Sequence, residues 1–246
     1  MRITTPNPST LRSNQALAKN FVSNVFSLMF TALIISGLAA IGFATETLKP
    51  IIMIKHPDGF SLTAIGWIAT LAPIGLVLLM GFRFNKFNVK TLLGVFLLYS
   101  VLTGISLSTI FSVYTASSIA STFFISALTF GIMAFAGYTT KTDLTKMGSF
   151  LFMGLIGIII ASVVNVFIYM FNPELYVFMD YVISILGVLI FTGLTAYDVQ
   201  KIKNIGSQVD QGSESAQKLM IMGALTLYLD FINLFLMLLR LLGNRD

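Results

Sequence analysis

The chain has 246 residues, 56% of them hydrophobic and only 10% charged, with a mean hydropathy of +0.89. A soluble domain carries about 25% charged residues, so there is too little polar side chain to coat a globule, and the apolar surface must face a bilayer. Cysteine is absent, which excludes disulfides, thiolate nucleophiles and thiolate metal sites, and the net charge of +5 shows no basic cluster interleaved with aromatics that would mark a nucleic-acid surface.

The first 20 residues are polar, carry Arg2, Arg12 and Lys19, and read as a cytoplasmic N-terminal segment. Residues 21–246 read as a single seven-helix membrane domain. The first apolar run is longer than the 7–15 residues or so of a signal-peptide core, so it is expected to stay as a span. A spanning helix needs roughly 20 apolar residues, about 1.5 Å of rise each across about 30 Å of hydrocarbon. Such stretches are Phe21–Ala44, Ala64–Phe82, Thr91–Phe111, Ser118–Tyr138 and Met147–Phe171. A sixth, Tyr181–Tyr197, runs straight into Asp198, and the seventh, Leu219–Leu239, is interrupted at its middle by Asp230. Barrel strands would alternate polar and apolar residues; these segments are apolar all round, so helices are expected and strands are not.

The connections hold the charges. Arg2, Arg12, Lys19, Arg83, Lys86, Lys90, Lys141, Lys146, Lys201, Lys203 and Lys218 fall on one side, and Lys49, Lys55, Arg240 and Arg245 on the other. The positive-inside rule then places the N-terminus in the cytoplasm, and seven spans place the C-terminus outside. Short loops, Ser112–Ser117 and Thr139–Lys146, make successive helices antiparallel neighbours. Small residues in "ISGLAAIGFA" and "GLIGIIIAS" suit close helix packing in lipid. Gln200–Lys218 reads as the largest polar loop.

No charged residue interrupts the first five spans, so Asp198 and Asp230 stand out. An Asp at a helix centre costs about 2.5–3.5 kcal/mol on insertion scales, and such a residue faces the bundle interior by default. Asp230 lies 11 residues into the seventh span, roughly 16 Å deep. Asp198 meets it only if the sixth span tilts or the seventh helix starts later than drawn. If they meet, two carboxylates in a low dielectric cannot both ionise cheaply, and they titrate as one coupled unit. Asn233 and Thr226 share a helical face with Asp230. Arg83, at the end of the second span, either pairs with Asp198 or only sets topology. Asn165 reads as a helix–helix hydrogen-bonding amide.

Two segments, "GLTAYDVQKIKN" (Gly193–Asn204) and "ALTLYLDFINLFLMLLRLLG" (Ala224–Gly243), closely resemble the Bax inhibitor-1 family, and "FGIMAFAGYTTKTDLTKMGSFLFMGLIG" (Phe130–Gly157) is similar to its bacterial branch. The resemblance implies an all-α integral membrane fold of seven transmembrane helices, the last one central between two triple-helix layers. It also implies a pH-sensitive calcium leak in which an aspartate pair senses protons. On that pattern the "YD" aspartate matches Asp198, the "LYLDFINLF" aspartate matches Asp230, and an arginine ending the second span matches Arg83. The acidic residue that some relatives carry inside the second span is missing from Ala64–Phe82, which removes one candidate cation ligand.

The leading expectation is therefore a proton-gated calcium leak, with Asp198, Asp230 and Arg83 as proton sensor and gate and the two aspartates as the cation ligands. Calcium is then the transported ion, not a cofactor, and no cofactor is expected. The alternative is a membrane interaction protein that modulates proteases or cell-death factors without transport; a proton-coupled exchanger is a third reading. Enzyme chemistry is not expected: the single histidine, His56, reads as a solvated loop residue, and HExxH, GxSxG and Cys–His patterns are missing. No midspan lysine is present to form a retinal Schiff base. The expected partners are the lipid bilayer, calcium, protons and a possible membrane-protein partner, with no nucleic acid, and the bacterial-looking segments imply an inner membrane.

Overall fold

The structure, a computed structural model, describes residues 8–56, 59–210 and 212–244, with side chains from residue 17 onward. In chain order the elements are α1 (Pro8–Phe43), a one-turn α2 (Lys49–Ile52), β1 (Met53–His56), β2 (Gly59–Leu62), α3 (Ala64–Arg83) and α4 (Val89–Leu107), which ends in a 3-10 turn, Ser108–Ser112. Then come α5 (Ala116–Thr139), α6 (Thr145–Phe171), α7 (Pro173–Gly206) and α8 (Glu214–Leu242). Seven of these helices are long and apolar enough to cross a bilayer. Helix is the form such sequences must take, because hydrocarbon offers no partner for a backbone N–H or C=O. The outward faces agree: Phe82 and Phe171 are each 84% exposed, Phe124 and Met170 each 71%. In water so continuous an apolar surface would aggregate; the protein is an integral membrane protein of seven helices.

The chain clusters into two compact units, Met1–Tyr114 with Ile205–Leu225, and Thr115–Asn204 with Thr226–Arg245. In the first, α1 packs on α4 and α4 on α3. Phe21, Val25, Met29, Leu92 and Phe96 form its core. Close approach of α1 and α4 rests on small residues: Ser36 Oγ donates to the Ser100 carbonyl at 2.7 Å, and Gly104 lies against the Ser36 backbone. Thr63 accepts from Gly66 N at 3.0 Å to cap α3, and Asn88 accepts from Thr91 N at 2.8 Å to cap α4. β1 and β2 form an antiparallel hairpin, Met53 opposite Leu62 and His56 opposite Gly59. That short hairpin lies between spans, and the spans themselves are all helical as expected. His56 is in its strand, not in a loop, exposed and 2.8 Å from Ser61 Oγ.

In the second unit, Gly137 of α5 lies directly on the Ala196 backbone of α7. Phe231 of α8 meets Phe123 and Phe130 of α5 edge-on, with centroids 5.4 and 5.6 Å away. Asn165, 3% exposed, donates to the Tyr176 carbonyl at 3.3 Å, which is the expected helix–helix amide bond. Of the seven spans α8 is the most buried, 56% of its apolar window against 17–33% for the others.

Several boundaries differ from the sequence reading: α7 starts at Pro173 and α8 at Glu214, each earlier than expected. The α1 helix already runs at Pro8, where a proline suits a first turn. The α7 helix does not stop at Tyr197 but continues to Gly206, so much of the expected polar loop is helix.

Candidate functional site

The extension of α7 matters because it moves Asp198 from a helix end into a helix interior. Seven further residues follow it before Gly206, and side chains of that stretch fasten it to neighbouring backbone. Gln200 accepts from Leu144 N at 2.9 Å and donates to the Thr142 carbonyl at 2.8 Å. Lys203 donates to the Tyr138 carbonyl at 2.7 Å, with its ammonium 5.0 Å from the centre of the Tyr138 ring. A cation on the last carbonyls of α5 also meets the negative end of that helix. This one turn of α7 therefore clamps the α5–α6 connection and fixes the backbone that carries Asp198.

Asp198 and Asp230 are 8% and 5% exposed. The two carboxyls lie within reach of each other. A hydrogen bond between them needs a proton, since two bare carboxylates have only acceptors to offer each other. The Oδ2 atom of Asp230 is buried with no partner among the described residues. A cavity of about 840 Å³, walled by α6, α7 and α8 and partly open, contains both carboxyls. Thr226 and Asn233, one turn to either side of Asp230, line it too, as does Ser162 of α6. The Asn233 amide donates to its own helix, to the Leu229 carbonyl at 2.8 Å, and leaves its oxygen for the cavity.

One cation lines this cavity. Lys201 lies three residues after Asp198, on the same face of α7, and its Nζ is 5.9 Å from the centre of the Tyr197 ring. Sequence reasoning counted Lys201 only as a topology-setting charge. The signal was in the quoted "YDVQK" segment all along, as an i, i+3 spacing. Arg83, by contrast, is exposed in the last turn of α3, belongs to the other unit, and has no ion pair among the described residues.

As a cation site the arrangement is sparse. No group of three His, Asp or Glu side chains exists among the described residues. Calcium prefers six to eight oxygens, so two carboxylates supply about half a shell at most, and hydroxyl, amide and water oxygens would have to complete it. What two adjacent buried carboxyls can do readily is hold and release a proton.

Comparison with known proteins gives the family. The family model described as inhibitor of apoptosis-promoting Bax1 matches residues 18–246. An uncharacterized protein of Borreliella burgdorferi is 46% identical over 237 residues, 96% of this chain and 97% of its own. Uncharacterized protein RP147 of Rickettsia prowazekii is 44% identical over 227 residues, 92% of this chain and 90% of its own. Inner membrane protein YbhL of Escherichia coli is 50% identical over 176 residues, 71% of this chain and 73% of its own. With both aspartate segments inside the matched region, this chain belongs to the Bax inhibitor-1 family.

Proposed function

We propose that the protein is a proton-gated leak for cations, calcium above all, in a bacterial inner membrane, and that it performs no enzymatic reaction and needs no cofactor. The observation that carries the reading is the adjacent, buried pair Asp198–Asp230 lining one partly open cavity between spanning helices. While the pair keeps a proton, the two carboxyls hold α7 and α8 together and the cavity is sealed. When both ionise, two unit charges about 4 Å apart repel by about 4 kcal/mol at an effective dielectric near 20, against about 1 kcal/mol in water. A bias of that size moves a closed–open equilibrium about a thousandfold. The freed oxygens, with Thr226 and Asn233, then serve a passing cation. The inner-membrane placement is supported by the name of the E. coli relative, and the calcium selectivity by the family resemblance.

The test is calcium flux into liposomes containing the purified protein, across a series of pH values. Flux should rise as pH rises. In a variant carrying both Asp198→Asn and Asp230→Asn it should lose its pH dependence, because a neutral amide keeps the shape and cannot ionise. Flux that ignores pH in the natural protein, or a double variant with an unchanged profile, overturns the reading.

The description of the matched family favours a second reading, an interaction protein without transport. A stoichiometric membrane-protein partner recovered together with zero flux at every pH selects it.

A further inference from the structure

The cavity that holds the aspartates is longer than a proton switch requires. Along α6 its wall runs from Gly148 to Val163, 16 residues of helix spanning about 22 Å at about 1.5 Å of rise per residue. One leaflet of hydrocarbon is about 15 Å deep, half of the roughly 30 Å core. Phe152, Ile159 and Val163 line the cavity and yet are 58%, 55% and 56% exposed, in the interior of a spanning helix. The open side of the cavity therefore faces acyl chains, not water. Most of the wall along α6 is apolar, and left empty it forfeits the dispersion contacts of its lining.

The two ends differ in chemistry. Toward Val163 and Met237 the walls are mainly apolar, with Ser162 and Asn233 the polar side chains there. The other end is formed by Ser149, in the second turn of α6, and by Lys201, five residues before α7 stops. Both lie beside the polar connection 140–144, at the level of the membrane surface. A long apolar trough with one ammonium and one hydroxyl at its interfacial end has the layout of an amphiphile with a single anionic head.

We propose that this cavity is a phospholipid site, with one acyl chain lying along α6 and the phosphate held by Lys201 and the Ser149 hydroxyl. The bound chain covers the exposed flank of the Asp198–Asp230 pair and keeps water from it. The site stands whether or not the cavity conducts, because lipid contact and ion flux are measured separately.

The chain has a single tryptophan, Trp67, so W67F clears the background for a fluorescent reporter. F152W places that reporter in the cavity, and F167W places a control on the lipid-facing part of α6 outside it, where Phe167 is 60% exposed. Both are reconstituted in zwitterionic vesicles containing a small fraction of phosphatidylglycerol brominated on its acyl chains. The expected result is quenching of F152W several-fold stronger than of F167W. The preference should vanish in K201Q, and it should not appear with a brominated diacylglycerol that lacks the phosphate. I159W is a second cavity reporter should F152W fold poorly, and the same result is expected of it. Equal quenching inside and outside the cavity means ordinary bilayer contact and overturns the site. A preference that survives K201Q or ignores the phosphate overturns the assigned head group.

Discussion

Asp143 stands two residues before α6 and accepts two hydrogen bonds from Thr145, from its backbone N at 2.9 Å and from its hydroxyl at 2.6 Å. Those bonds, with the Lys146 ammonium nearby, hold the Asp143 carboxyl below its ordinary range. A depressed carboxyl stabilises the fold above its unfolded-state value and loses that contribution as pH falls through the lower folded-state value. Asp143→Ala should therefore lower the melting temperature of the purified protein at neutral pH, and the gap to the parent should close in strong acid. A gap that persists unchanged there means the residue acts through packing and not through its charge. The aspartates of the cavity pose the opposite problem. Their importance was legible in the sequence because a carboxylate inside an uncharged apolar run is costly. Their adjacency was not, since it depends on α7 continuing through Gln200, Lys201 and Lys203. Such residues look like loop on composition alone. They stay helical because Gln200 and Lys203 find backbone partners on the α5–α6 connection and the end of α5, and no pattern within α7 itself reveals those partners.

At the scale of the element, the helices were easy to place and their contacts hard. Length and hydropathy fix a spanning helix almost unaided, so all seven were legible; the β1–β2 hairpin was not, because its strands of four residues each are too short to establish a period of two. Helix packing in lipid is decided by small residues, and the sequence has many that do nothing in particular. Gly131 and Gly137 lie on the same helix, α5, yet a Cβ at Gly131 would meet nothing within 4 Å, while one at Gly137 would collide with the Ala196 carbonyl oxygen. Backbone cannot step aside as a side chain can. Gly137→Ala should cost about 1–3 kcal/mol, the range for overpacking, and push α5 off the turn of α7 that precedes Asp198. Gly131→Ala should be neutral or gain up to about 1 kcal/mol from helix propensity. Thermal unfolding of the two variants in the same detergent tests the pair, and equal stabilities would show that α5 and α7 do not approach closely in the membrane.

For the whole molecule the open question is which way it faces, and the charges that decide it are unevenly effective. Eleven Lys and Arg residues fall on the N-terminal side of the spans and four on the other. Two of those four, Arg240 and Arg245, follow or end α8, where they would argue for a cytoplasmic C-terminus. Arg240, however, lies 3.2 Å from the Asp180 carboxylate of α7. Although an exposed pair of this kind contributes little to stability, it leaves less net charge at that end of the bundle. Asn244 N also donates to Ser118 Oγ at 3.0 Å and its carbonyl accepts from Thr115 N at 3.2 Å, so the end of α8 is fastened to the start of α5. The bias of eleven therefore predicts the N-terminus and the α7–α8 connection in the cytoplasm, and the α1–α2 connection and the C-terminus outside. The absence of cysteine makes the chain ready for a labelling test. A membrane-impermeant maleimide should label Glu46→Cys, and a cysteine appended after Asp246, in spheroplasts. Asp210→Cys should react only in inside-out vesicles. The reverse pattern overturns the charge argument. Labelling of Glu46→Cys and Asp210→Cys from one and the same side would mean that the helices between them do not cross as an odd number of spans.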